Sequence, residues 1–266
     1  MSAAIKAEVR KLFTTRLWWL LALVLVAYLV FIGAVMAFSF TVDPESMGGG
    51  SGMPEGEELA RVIYSLTSPI GYVFPLIVGS LLFTGEFRHK TITASLLAQP
   101  NRSILMGAKL LAAVVVGLVY GVIGTASTVL GSAPILAWRG DGAYLTANSV
   151  LVLLGMSVLV MTIWAVLGTA IGSVLTNQVA AIIVILAFTQ FVEPIARVAL
   201  GAWDATSEVA RFLPGAAADA MLGASFFAQD TSADLLSRGA GAAVLLGYVL
   251  LFALLGRFIT LRRDVG

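Results

Sequence analysis

From Gly142 to Val192 the chain carries no charged residue, and this run limits the possible folds more than any other feature. As one helix, rising about 1.5 Å per residue, it would be more than twice as long as the ~30 Å hydrocarbon core of a bilayer. The run must therefore turn back once. Gly172, Ser173, Thr176, Asn177 and Gln178 interrupt its apolar residues, which predicts one helix over 147–172 and a second over 178–193. Further charge-free stretches, Leu17–Val42, Val62–Gly85 and Leu110–Trp138, predict spans over 17–42, 62–85 and 106–136. A sixth is expected over 239–260, with Arg257 near its end. Composition agrees: 59% of residues are hydrophobic and 12% charged, about half the roughly 25% charged share of soluble domains. The expectation is an all-α integral membrane protein with six transmembrane helices, forming one membrane domain over residues 1–266. Its first span is too long for a signal-peptide core and has no small-x-small cleavage site, so it reads as a retained anchor.

Charge placement predicts orientation. With six spans, one side holds the N-terminus, the 86–109 connection, the 173–178 turn and the C-terminus. It carries Lys6, Arg10, Lys11, Arg16, Arg88, Lys90, Arg102, Lys109, Arg257, Arg262 and Arg263, against only Glu8, Glu86 and Asp264. The other side holds 5 basic and 12 acidic residues, Asp43, Glu45, Glu55, Glu57 and Glu58 among them. Lys and Arg accumulate on the cytoplasmic side, so both termini are expected inside. Within 3–16, Ile5, Val9, Leu12 and Phe13 share a face while Lys6, Arg10 and Lys11 lie elsewhere. That pattern predicts an amphipathic helix on the inner membrane surface, with Trp18 and Trp19 at the interface. The acidic 43–58 loop contains the glycine-rich run Met47–Gly52 and is expected to be flexible. Residues 193–238 are too apolar for a solvated linker and are expected to form short external helices, in one reading re-entrant into the outer leaflet.

Several chemistries are excluded or disfavoured. The chain has no cysteine and one histidine, His89, which rules out disulfides, thiolate chemistry and a multi-histidine metal site. The four lysines follow Ile5, Arg10, His89 and Ala108. None follows glycine, so no Gly-Lys-Ser/Thr phosphate loop is present. No catalytic constellation lies within the spans, and no enzyme activity, cofactor or metal site is expected of this chain.

The densest charge cluster between two spans is the segment Thr84–Arg102. Thr84 is a candidate helix cap, Glu86 suits a helix N-terminus, and Phe87, Thr91, Ala94 and Leu97 would share one face before Pro100 ends the helix. A helix over 86–99 is predicted, either as a basic connection that fixes topology or as a docking element for a partner. Small residues Gly117, Gly121, Gly124, Thr128 and Gly131 line one face of span three, and Gly168 and Gly172 form a GxxxG in span four. They suit close helix approach within one subunit or across a dimer. Glu193 and Arg197, flanking Pro194, are spaced to pair, either as an interfacial salt bridge or as part of an external gate.

The stretch FTGEFRHKTITASLLAQPNRSILMGAKL resembles the region after the second span of type-2 ABC exporter permeases, particularly actinobacterial drug and antibiotic-resistance exporters. AEVRKLFTTRLWWLLALV is similar to their N-terminal helix and first span, and FVEPIARVAL with ARFLPGAAADAML to the stretch before their last. The most specific part is Gly85-Glu86-Phe87-Arg88-His89 with Leu96-Leu97 and Pro100. Lys90 departs from the family, where glycine is common. The resemblance implies a permease subunit of an ATP-driven exporter in the bacterial cytoplasmic membrane. It also implies pairing with a second permease copy above two copies of a soluble ATPase, which would hold ATP and Mg. Gly85, Glu86, Phe87, Arg88, His89, Lys90 and Leu97 would then form the helix that docks into the ATPase. Spans poor in acidic groups suit an apolar or amphipathic cargo, and no nucleic acid is implied. The competing reading is a stand-alone membrane carrier, or a scaffold or sensor, with no ATPase partner.

Overall fold

The computed structural model describes residues 2–42, 54–140, 142–224 and 235–260. Asp43, Glu45, the Met47–Gly52 run, Arg262, Arg263 and Asp264 lie outside the described residues. Among the described residues, six helices are long and apolar enough to cross a membrane, and the regular structure is helical with no strand.

The chain begins with α1 (Ser2–Thr14), turns at Thr15 and Arg16, and enters α2 (Leu17–Val42). The turn is pinned locally. The Trp18 indole N–H donates to the Phe13 carbonyl at 2.9 Å, and the two rings meet edge to face at 4.8 Å. Three segments then follow one another as a bent rod: α3 (Gly56–Ser65), α4 (Thr67–Gly71) and α5 (Val73–Arg88). This second span starts six residues before the predicted position and is the most enclosed of the six, 78% buried against 17% for the last. A short α6 (Ile92–Ala98) leads to α7 (Arg102–Arg139), which Asn101 caps by accepting from the Ser103 and Ile104 amides. The charge-free run folds as α8 (Asn148–Val174) and α9 (Gln178–Ala187), turning where the polar interruption lies, with Asn177 capping α9.

The small-residue stripes explain how the bundle closes. A Cβ added at Gly79 would lie 2.0 Å from the Ala165 carbonyl oxygen, and one at Gly168 would lie 2.0 Å from that of Leu76. Helices α5 and α8 therefore touch backbone to backbone, an approach only glycine permits. Gly172 repeats the contact against Ser80, Gly117 and Gly121 bring α7 onto α8, and Gly131 brings α7 onto Val30 of α2. These stripes are occupied by packing within the chain. Hydroxyls add cross-links: Thr169 donates to the Gly79 carbonyl at 3.0 Å, and Thr67 to Thr128 at 2.9 Å. Outward faces of α2, α9 and α13 carry exposed apolar side chains such as Phe31, Ile183 and Leu250, as helices in contact with lipid require.

Span five departs from the predicted 178–193. After α9 the helix widens into one π-turn, Phe188–Val192, and continues as α10 (Glu193–Gly201). Pro194 stands in the first turn of α10. Proline cannot donate an intrahelical hydrogen bond, and a widened turn just ahead of it carries the helix past. Short helices α11 (Asp204–Ala210) and α12 (Pro214–Leu222) follow, then α13 (Arg238–Leu255) with a terminal π-turn, Gly256–Thr260. α12 is almost wholly buried against α13, α8 and α4.

The same substitution on one helix should have opposite effects. Gly168→Ala drives a methyl into Leu76 and is expected to cost about 1–3 kcal/mol. Gly155→Ala, whose Cβ meets nothing within 4 Å, is expected to stabilise by about 0.5–1 kcal/mol by stiffening the chain. Thermal unfolding of both variants in the same lipid nanodisc compares them. Equal shifts would contradict the close approach of α5 and α8.

Candidate functional site

At the basic end of the bundle, four charged side chains from three helices meet in the interior. Glu8 lies on α1, one turn from Lys11. Glu86 sits in the last turn of α5, and Lys109 is two turns into α7. Lys109 is 0% exposed, Glu8 4% and Glu86 7%. The Lys109 ammonium donates to Glu8 Oε2 at 2.7 Å and to the Leu82 carbonyl at 2.7 Å, and lies 3.0 Å from Glu86 Oε1 as an ion pair. The Phe83 ring lies 5.1 Å from the same nitrogen. Lys11 reaches Glu8 Oε1 at 2.7 Å, Glu86 Oε1 at 2.8 Å and Ser95 Oγ on α6 at 3.0 Å. Ser95 in turn donates to Glu86 at 2.8 Å.

Two ammonium groups face two carboxylates, so the cluster is neutral overall. That balance is what permits charge in a low-dielectric interior. Partial burial lowers the affinity of Lys11 for its proton, but hydrogen bonds to Glu8 and then Glu86 outweigh it, and the net effect raises its pKa above the ordinary lysine value. In mechanical terms the cluster joins α1 and α6, which lie outside the spans, to spans two and three.

The 86–99 segment is not one helix. α5 runs through Arg88, and the chain then breaks at His89–Thr91, where Lys90 adopts φ +55°. This left-handed conformation suits glycine better than lysine. The break puts Phe87 on α5 and Thr91, Ala94 and Leu97 on or before α6, so they do not share one helical face. Thr84 is not a cap. It is buried within α5 and its hydroxyl donates to the Ser80 carbonyl at 3.0 Å. Of the residues expected to couple, only Glu86 enters the buried cluster. Gly85 and Phe87 are half-buried, Arg88, His89 and Lys90 are exposed, and Leu97 projects outward, 78% exposed.

A second charged cluster lies at the opposite end. Glu193 and Arg197 pair as the spacing predicted, at 3.3 Å, and Arg197 also reaches Asp219 of α12 at 2.9 Å. Glu193 is 2% exposed and accepts a hydrogen bond from the Gly215 amide. A side chain at Gly215 would collide with both Glu193 and Arg197. Pro194 faces outward and is exposed.

Sequence reasoning missed Glu8, Lys11, Ser95 and Lys109 as site members, and Asp219 and Gly215 at the other end. In the sequence Lys109 looks like a loop cation, yet helix α7 begins seven residues before it. The usable signal was the scarcity of acid. Glu8 and Glu86 stand almost alone on the basic side, and Asp219 interrupts an alanine-rich apolar run.

No family model and no curated protein matches this chain, so its site rests on its own geometry. Lys109→Met leaves two buried carboxylates with only the half-exposed Lys11 between them and is expected to cost about 3–5 kcal/mol. Lys11→Met removes a half-exposed partner and is expected to cost roughly 1 kcal/mol or less. Denaturant unfolding in mixed micelles measures both. Equal costs would contradict the burial of Lys109 as the centre of the cluster.

Proposed function

We propose that this chain is the membrane-spanning permease subunit of an ATP-driven exporter of the type-2 ABC kind, with ATP and Mg held by a separate soluble ATPase. The observation that carries the reading is the Glu8–Lys11–Glu86–Lys109 cluster, in which Glu8, Glu86 and Lys109 are buried. An exporter driven from below needs surface elements that move its spans, and this cluster fastens α1 and α6 to spans two and three.

The exposed surface around it supports the same reading. On α1, the turn after it and the 86–98 segment, Lys6, Arg10, Lys11, Arg16, Arg88, His89 and Lys90 are exposed, while Glu8 and Glu86 are buried. This end therefore presents basic groups around one projecting apolar side chain, Leu97. An acidic cleft with an apolar floor on a partner would complement it, and a central apolar anchor in such a surface commonly dominates binding. In this reading both termini face the cytoplasm of a bacterial cell. Two permease copies pair above two ATPase copies, and the cargo is apolar or amphipathic. Helices α10–α12 cap the outer ends of the spans, with α12 re-entrant and Glu193, Pro194 and Arg197 belonging to an outer gate.

A stand-alone carrier is the second reading; carriers hold ionisable groups within their spans near the midplane, and the buried Glu193 is the group in this chain that comes nearest to that. Leu97→Asp separates the two. The side chain is exposed, so the unfolding midpoint should not move. Co-purification of a soluble ATPase with the tagged chain should fall roughly thirtyfold, the loss of an anchor worth about 2 kcal/mol. A wild-type chain that leaves native membranes with no ATPase contradicts the permease reading.

A further inference from the structure

Between the first and last turns of the six spans, every described serine and threonine is buried or half-buried. Their hydroxyls bond inside the bundle. Ser127, Ser157 and Thr162, for example, donate to carbonyls one turn back at 2.6, 2.9 and 2.7 Å. Gln190 departs from this pattern. It stands in the π-turn of span five with its side chain exposed, and the exposed Ile183, Leu186 and Phe191 surround it with apolar surface. At 1.5 Å per residue it lies about 18 Å along the helix from Gln178, inside the ~30 Å hydrocarbon core.

A primary amide has two donors and an oxygen that accepts twice. Among the described residues, the Gln190 carboxamide has one contact, from Nε2 to Thr189 Oγ1 at 3.5 Å, which is the outer limit of a hydrogen bond. The Thr189 hydroxyl is itself committed to the Ile185 carbonyl at 2.7 Å. Lipid tails supply no substitute, and an unbonded amide in an apolar medium is costly. Tyr28 of α2 is also exposed within its span, but it brings a single hydroxyl on a large apolar ring that leans on Phe74 at 6.3 Å. Gln190 has no such apolar body, so its need for a partner is the stronger of the two.

We propose that Gln190 is the polar contact of a symmetric interface in which span five meets span five of a second copy of this chain. A primary amide is its own complement. Across a two-fold axis each N–H donates to the other carbonyl, so one residue satisfies both copies, as an isologous contact requires. Side-chain amides bonded in this way hold transmembrane helices together. Span five has the surface to spare. From Ala181 to Gly201 its buried residues are Ala181, Ile185, Thr189 and Glu193, one stripe at four-residue spacing, and the rest of the helix is open to a neighbour. The contact rests on the pairing of copies in the permease reading and names the surface through which they meet, but it needs no ATPase.

The chain has no cysteine, so one introduced thiol reports on its own position. In native membranes, Gln190→Cys treated with a short, membrane-permeant bis-methanethiosulfonate should run at the mass of a dimer. Leu250→Cys, on the outward face of α13 and 63% exposed, should stay a monomer. In lipid bilayers, Gln190→Leu should raise the dissociation constant of the dimer roughly tenfold. A wild-type chain that is monomeric in bilayers overturns the proposal and needs no variant to fold. So does Gln190→Leu pairing as tightly as the wild type, or Gln190→Cys reacting with a water-soluble maleimide without cross-linking, which would place it in an aqueous cavity. An ATPase that co-purifies with a chain lacking the cross-link would sink this contact and leave the permease reading standing. A cross-link with no ATPase would do the reverse.

Discussion

A lysine with no exposure in an apolar bundle has to be fully paired, and Lys109 is the point from which the basic end of this protein is organised. Its ammonium holds Glu8, Glu86 and the Leu82 carbonyl in one place. Removing one charged partner leaves the buried cluster with an excess charge, a larger penalty than a single pair contributes by itself. The cluster therefore determines arrangement more than it adds stability. It orients the face of α1 that would otherwise slide freely along an apolar surface, and through Ser95 it fixes α6 against the end of α5.

The packing above the cluster lets that arrangement extend through the bundle. Helices α5, α7 and α8 meet at glycines with backbone in contact with backbone, so no flexible side chain lies between them to absorb a displacement. Closely packed interfaces shift between discrete arrangements and do not deform continuously. A push on α6 would reach span two at Glu86 and span four through Gly79, Gly168 and Gly172. Span five is different. It has a π-turn and a proline and few buried residues, which makes it the place where the bundle can yield.

The span count and the turn at 172–178 were legible because charge is nearly forbidden in lipid and its absence is easy to read. The glycine stripes were legible as close-packing surfaces, although not which helices they join. The site was legible only in part. Glu86 could be singled out by its isolation, but Lys109 looked like one more inside-positive charge, because the sequence does not say where a helix starts relative to a lysine seven residues on. Glu8 was hidden among cations of an amphipathic helix whose polar face was assumed to meet solvent or headgroups. Asp219 lies 22 positions from Arg197, and only the fold brings them together. The break between α5 and α6 was not legible either, because a lysine at position 90 gives no sign of the left-handed backbone it adopts there.

The central claim is that Glu8 and Lys109 depend on one another across 101 positions of sequence. A double-mutant cycle with Glu8→Gln, Lys109→Met and the double variant, followed by unfolding in lipid, measures that dependence directly. The account expects the double variant to be much less destabilised than the two single losses combined, with a coupling of about 1.5 kcal/mol or more, well above the 0.3–0.5 kcal/mol scatter of independent sites. Costs that add within that scatter would show that the two side chains do not share a buried contact.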